Sequence, residues 1–540
     1  MTTALRWIAT PHIPPDFLGP GARPYRVFGD PASGVPIIDS LRGVVEEWPN
    51  GVAVEDAVGI LSFSDLWRAA LQLAALIERA QPAPGNVGIM LPASAGYMVA
   101  VFACLAANRV MVALDEASPD ARNIDIIERT SVTLVLATPD NRRAGYAGAP
   151  VLAVDLTLPV DATPVTWTSR PVDLDAPAVI VCTSGSSGRP KPIVHSQRAM
   201  LSWARIHHNS IHMTHRDRVL SLSSAAALAG FSSFFTTPLA GAATQIVDVK
   251  SVGLGGLLET LATKPVTTLR AAPSMLRGLA RLPEARRSFA GLRVIQAFGE
   301  PLLKADVIAL RQSLAGECFI RSTYGTTESS GLQWFASEGD SHDTVRVAAG
   351  VLQPDTEAAI VDEDGNSCCD GQAGELWIRS RYNALGEWVN GRVVPGRMLP
   401  DDAAAHSRIY KTGDMAVYHG DGVFTVIGRK DRMVKVNGQR LEPGEIEVAL
   451  RAVPAVREAE VVIDPRSAVP RLLAFVVACE ERGGAELVAA LRAELRNVLP
   501  GFMMPSKIVV VPAMPRLPNG KIDGLSLLAR IGVSDTAATA

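Results

Sequence analysis

Apolar positions along this chain follow two periods, and the way they alternate predicts an architecture before any chemistry is considered. Leu66, Ala69, Ala70, Leu73, Leu76 and Ile77 recur at helical spacing, with Ser64 placed to cap the helix. An apolar run at residues 87–91, a helical stretch reaching Ala107 and a second apolar run at 110–114 follow. Those elements make a βαβ unit, whose parallel strands need helices over the sheet. The alternation continues past residue 300: residues 178–181, 245–247 and 292–295 read as strands and 301–314 as a helix. From about residue 350, short strands at 357–361, 374–378 and 422–427, separated by Gly and Asp, predict a β subdomain. Beyond Gly428 come helices around 444–451 and 485–499 and strands at 458–463, 472–479 and 508–511, which suit a small α+β unit. The predicted class is therefore α/β: a large N-terminal part of α/β subdomains plus a β subdomain, then a small C-terminal α+β domain.

Length and charge narrow this picture. A chain of 540 residues exceeds what one hydrophobic core organises, so at least two domains are expected. With 52 Lys+Arg against 55 Asp+Glu, the net charge of -3 gives no global attraction to nucleic acid or an anionic membrane. Six cysteines occur without CxxC spacing, and Cys368-Cys369 sits in a polar segment, so neither a disulfide framework nor a zinc site is indicated. The N-terminus lacks a basic start with an apolar core, and the longest apolar stretch, 97–107, is too short to cross a bilayer. The expectation is a soluble cytoplasmic protein with no nucleic-acid partner and no membrane span.

Candidate chemistry begins after the run at 178–181. Thr183-Ser184-Gly185-Ser186-Ser187-Gly188-Arg189-Pro190-Lys191 crowds hydroxyls around two glycines with a lysine behind. Glycine lets backbone N–H groups converge on phosphate oxygens, the hydroxyls add donors and Lys191 adds charge. Pro190 and Pro192 flank Lys191 where a Walker loop has Gly and Ser or Thr, so that motif is excluded. Taken alone, the stretch is equally a flexible Ser/Gly linker.

Four further segments follow in order: Gly299-Glu300-Pro301; Tyr324-Gly325-Thr326-Thr327-Glu328; Tyr410-Lys411-Thr412-Gly413-Asp414 with Gly428-Arg429-Lys430-Asp431; and Pro518-Asn519-Gly520-Lys521. In this order the chain resembles the superfamily of adenylate-forming enzymes: acyl-CoA synthetases, nonribosomal peptide synthetase adenylation domains and luciferases. The resemblance covers nearly the whole chain. It implies an AMP-binding domain over residues 1–430 and a mobile lid over 431–540, hinged at Asp431 and carrying a catalytic Lys521. It also implies that Thr183 to Gly188 and Lys191 hold phosphates, and that Gly299, Glu300 and Pro301 wall the adenine, although Phe298 stands where many relatives have glycine. Tyr324 would stack on adenine beside Gly325 and Thr326, Thr327 would bond the α-phosphate, and Glu328 would ligate Mg2+. Asp414 would accept from the ribose hydroxyls and Arg429 would donate to ribose or phosphate. Lys435 and Gly438 would line a thiol channel.

By the resemblance, residues 228–235 correspond to the helix start lining the acyl pocket, with Ala229, Gly230, Phe231, Phe234 and Thr323 as candidate lining, though core packing explains the two phenylalanines equally well. Domains that activate α-amino acids place an Asp where Ala229 stands. A buried ammonium without a partner is costly, so a carboxylic acid other than an α-amino acid is favoured. The activity implied is ATP- and Mg2+-dependent conversion of that acid to an acyl-adenylate with release of pyrophosphate, then transfer to a phosphopantetheine thiol. Too few residues follow Asp523 for a fused carrier domain, so CoA or a separate acyl or peptidyl carrier protein is the expected acceptor. The alternatives are a non-thiol acceptor, or a catalytically silent nucleotide-binding protein on the same fold.

Overall fold

The computed structural model describes residues 5–9, 14, 16, 18–21, 23–141, 146–155, 166–184, 190–337, 339, 342, 345–402, 404, 406–430, 434–436, 439–441, 443–464, 471–479, 484–499, 503–517 and 522–534. Among these, two large sheets carry the N-terminal part. In the first, Pro177–Ser184 lies between Pro190–Ser196 and Val110–Ala113, with Asn86–Met90 and Val132–Ala137 beyond. In the second, Ser330–Phe335, Phe319–Gly325, Val294–Phe298, Thr268–Ala271 and Arg218–Ser221 lie side by side, pairing in parallel except at Ser330–Phe335. A core of residues from both sheets and their helices joins them. At its centre the Ala95–Ala106 helix is buried at every residue. Its apolar run is thus a core helix, apolar all round because it has no wet face. No described helix is long and apolar enough to cross a membrane.

The predicted elements appear with shifted edges that have local causes. The first long helix is Phe63–Ala80, capped by Ser62 rather than Ser64: the Ser62 hydroxyl accepts from Asp65 N–H while the Asp65 carboxylate reaches back to Ser62. The helix expected from residue 301 begins later, at Lys304–Ser313, where the Asp306 carboxylate accepts from Leu303 N–H.

The predicted β subdomain is a sheet in which Arg408–Tyr418 pairs with Ala373–Ser380, Met398–Pro400 and Phe424–Arg429. The C-terminal part has its own three-stranded sheet, Val456–Asp464, Arg471–Ala478 and Lys507–Val510, covered by the Pro443–Arg451 and Gly484–Val498 helices over a separate core.

Candidate functional site

One cleft of ≈ 2280 Å³ runs between these units and collects residues from all of them. Its first wall is a hairpin: Pro177–Ser184 and Pro190–Ser196 pair antiparallel, with Thr183 opposite Lys191 and Ser184 opposite Pro190. Gly185, Ser186, Ser187 and Gly188 lie outside the described residues, as does the Ser184 side chain. Lys191 Nζ stands 2.9 Å from a Glu387 carboxylate oxygen and 3.9 Å from one of Glu328. Glu387 arrives on the Gly386–Val389 strand, which pairs antiparallel with the lysine's own strand. Two carboxylates therefore aim one ammonium into the cleft.

The second wall is the end of Phe319–Gly325 and the turn that follows. Thr326 Oγ1 accepts from the N–H groups of Glu328 and Ser329, each at 3.2 Å, so this hydroxyl holds the turn closed. The next carbonyl, of Thr327, accepts from His195 Nε2 at 2.8 Å. His195 is buried, and burial lowers its pKa to about 4, which keeps the imidazole neutral. Since a carbonyl can only accept, the proton sits on Nε2. Tyr324 donates its hydroxyl to Asp414 Oδ2 at 2.5 Å. Burial and then the Asp414 charge hold the Tyr324 phenol well above its ordinary range, so it remains a donor.

The third wall brings Asp414 and Arg429 together as cross-strand partners. Arg429 Nη1 donates to Asp414 Oδ1 at 3.1 Å and to the Thr412 carbonyl at 3.0 Å. Gly413 has φ 74, and a Cβ there would stand 3.1 Å from Arg429 Nη2, so glycine is needed twice over. Three motifs far apart in sequence thus meet at one carboxylate, Asp414, whose side chain is only 9% exposed. Gly299, Glu300 and Pro301 line the same cleft. Glu300 also accepts from Ser274 N–H and Oγ at 3.1 and 2.9 Å, which ties this segment to the start of the Pro273–Ala280 helix.

At the other end of the cleft, Ala229 and Thr323 are lining residues. Phe231 and Phe234, expected to shape the pocket, instead turn into the core: Phe231 packs on Phe235 and Phe234 on Tyr97. Gly230 serves packing too, because a Cβ there would lie 2.1 Å from the Ser224 carbonyl. The residues that line this end with Ala229 and Thr323 are Ser232, His207, Gln296, Arg270 and Arg321, none of which the motifs singled out. A signal was present: Arg270, Gln296 and Arg321 each interrupt an apolar strand, and buried strands rarely hold Arg.

The C-terminal part closes the cleft with Glu447, Arg451, Glu458, Arg516 and Ile522. Lys521, Asp431 and Gly438 lie outside the described residues, as does the Lys435 side chain. Arg516 and Ile522, on either side of the Pro518–Lys521 motif, pair as a β-bridge at this wall.

Known proteins match this architecture throughout. The family described as AMP-binding enzyme matches residues 41–388, and the AMP-binding enzyme C-terminal domain matches 445–521. Phosphinothricin tripeptide synthetase PhsC of Streptomyces viridochromogenes is 32% identical over 92% of this chain, and enterobactin synthase component F of Escherichia coli is 29% identical over 89%. The chain spans less than half of either relative, 46% of the first and 38% of the second. A benzoate CoA ligase from Burkholderia xenovorans has the same fold, with TM-score 0.79, 21% identity and coverage of 91% of this chain and 99% of its own.

Proposed function

The chain belongs to the AMP-binding enzyme family of adenylate-forming, AMP-forming ligases, and from that premise we propose how this cleft works and on what. A carboxylic acid enters at the Ala229–Thr323 end and ATP at the Asp414 end. One carboxylate oxygen attacks the α-phosphorus; the new P–O bond forms as the bond to the bridging oxygen breaks, and pyrophosphate leaves with that electron pair. A phosphopantetheine thiolate, on CoA or on an acyl or peptidyl carrier, then attacks the acyl carbonyl and displaces AMP.

The observation that carries this reading is the convergence of Tyr324, Asp414 and Arg429 with Lys191 and Glu328 around one cleft. Asp414 already has its carboxylate fixed by two donors and needs no reorganisation to accept from ribose hydroxyls. The Tyr324 ring faces the adenine beside Gly299–Pro301, Thr327 offers its hydroxyl to the α-phosphate, and Lys191 exchanges Glu387 for phosphate oxygens. Glu328 suits Mg2+: it is a carboxylate at the cleft wall, and among the described residues no cluster of three or more His, Cys, Asp or Glu forms a closed metal cage. Mg2+ keeps most of its shell for water and phosphates, so one protein carboxylate fits, and the ion would neutralise charge on the departing pyrophosphate. Lys521, in the sequence between Arg516 and Ile522, bridges substrate carboxylate and α-phosphate. After adenylation, residues 431–540 swing about Asp431, which withdraws Lys521 and opens the thiol path past Lys435 and Gly438.

The acid is not an α-amino acid. No carboxylate stands at Ala229 to pair with an ammonium, and the charged group bonded to the Ala229 carbonyl, at 3.4 Å, is the guanidinium of Arg270. Pyrophosphate release on a panel of carboxylic acids, repeated with CoA and with a holo carrier protein, tests the whole reading. Acid-dependent release without α-amino acid preference is expected; ATP binding without release for any acid contradicts it.

A further inference from the structure

The acid end of the cleft contains an electrostatic imbalance. Arg270, Gln296 and Arg321 sit on three adjacent parallel strands in direct register, Arg270 opposite Gln296 and Gln296 opposite Arg321. Residues in register across parallel strands share a face, so the two guanidinium groups belong to one row, with Cα atoms about 10 Å apart. Thr323, two residues beyond Arg321, continues that face toward the turn at Thr326 and Thr327. Both arginines are buried, Arg270 at 4% and Arg321 at 0% exposure.

Their partners are all neutral. Arg270 donates to Ser233 Oγ at 2.5 Å, and through Nη2 to the Ala229 carbonyl and Ser232 Oγ at 3.4 Å each; His207 Nε2 lies 3.5 Å from the same nitrogen. Arg321 donates to the Gln333 amide oxygen. Arg270 Nε and both Nε and Nη1 of Arg321 are buried with no partner. Among the described residues no carboxylate forms an ion pair with either. The charges instead oppose each other: burial lowers the Arg270 guanidinium to about 10 and the Arg321 guanidinium to about 9, Arg270 being the second cause of the latter. His207, between them on the facing helix, is kept neutral by burial and by the same two cations.

A protein interior rarely holds two cations without an anion unless a ligand brings it. Elsewhere in the same molecule two largely buried arginines have carboxylate partners, Arg277 with Asp306 and Arg293 with Asp217. Resting on the adenylation reading, we propose that the acid activated here carries a second oxyanion, in its plainest form a dicarboxylic acid. Arg270, at the cleft face, is its direct partner, and Arg321, two strands further along the row, supplies the field behind it. The planar guanidinium fork matches a carboxylate edge, and the reacting carboxylate is then directed along the Thr323 face toward Thr327. The same two cations repel an ammonium.

The test compares malonic, succinic, glutaric and adipic acids, and 3-phosphonopropionic acid, with their monomethyl esters or equally long monocarboxylic acids, in ATP-dependent pyrophosphate release by the full chain. Preference for one of the doubly charged acids by about 10–100-fold in kcat/KM is expected. Arg270→Met should reduce that ratio to near one, while Arg270→Lys keeps part of it. Independently of any variant, the preferred diacid should raise the thermal unfolding temperature of the wild-type chain and its monoester should not. Equal turnover of charged and uncharged tails, or a preference that survives Arg270→Met, overturns the oxyanion subsite and leaves adenylation standing. No release with any acid overturns both.

Discussion

The two ends of the cleft treat charge in opposite ways. At the proposed nucleotide end the central charged groups are paired within the protein: Asp414 with Arg429, and Lys191 with Glu387 and Glu328. At the proposed acid end Arg270 and Arg321 have amide, hydroxyl, carbonyl and imidazole neighbours, with the Phe298 ring under Arg270, but no carboxylate among the described residues, and three of their N–H groups have no partner. On the proposed reading, the end complete in itself takes the ligand common to the whole family, and the end left uncompensated is fitted to what one particular substrate brings. The contrast teaches where generality and selectivity reside in this chain.

For the use of ATP, the larger effect should come from breaking the complete end. Asp414→Asn removes the carboxylate that Tyr324 and Arg429 converge on, and loss of a charged hydrogen bond costs about 2 kcal/mol, or about 30-fold. Steady-state kinetics should show kcat/KM for ATP falling by that factor with KM for the acid little changed; equal losses for both substrates would mean that the two ends are not separate. At the uncompensated end the sign of the stability effect reverses. Arg321→Met removes a buried charge whose desolvation is offset only by the neutral Gln333 amide, so chemical denaturation of the ligand-free chain should show it more stable than wild type, by about 1–3 kcal/mol. Destabilisation would mean that an anion already satisfies this arginine.

The effect that builds most gradually, small per tenth of a pH unit, is acid sensitivity. His195 faces the Thr327 carbonyl with Arg408 nearby, His208 faces the Thr236 carbonyl, and His207 faces Arg270 and Arg321. Burial is the main cause that holds all three neutral, the first two near pKa 4 and His207 well below its ordinary value. An unfolded histidine protonates near 6.5, so below that pH the unfolded chain gains protons that the folded chain refuses. Their contribution is complete above pH 6.5 and falls by about 1.4 kcal/mol per histidine per pH unit toward pH 4. Denaturation midpoints measured from pH 8 to 4.5 should be flat and then drop, and His208→Gln, placed away from both ends, should shallow the slope.

Much of this was legible in the sequence because local chemistry leaves local marks. Apolar periodicity located the βαβ unit and the change to short strands after residue 350, and the motifs around Tyr324, Asp414 and Arg429 marked residues that meet in one cleft. What was not legible depends on contacts between distant segments. Phe231 and Phe234 sit on the expected helix, yet only the packing of Tyr97 and Phe235 decides that they face the core. Glu387 acquires meaning through the pairing of its strand with that of Lys191, far away in sequence. Arg270, Gln296 and Arg321 read singly as polar breaks in strands; that they form one row follows from sheet register, which periodicity does not specify.

The account rests on a lysine from the C-terminal lid completing a cleft built by the N-terminal part. Acid-dependent ATP–pyrophosphate exchange by the full chain, compared with Lys521→Ala, tests this directly. The account predicts that exchange falls by about 10²–10³ while ATP still binds; exchange at the wild-type rate in the variant would contradict it.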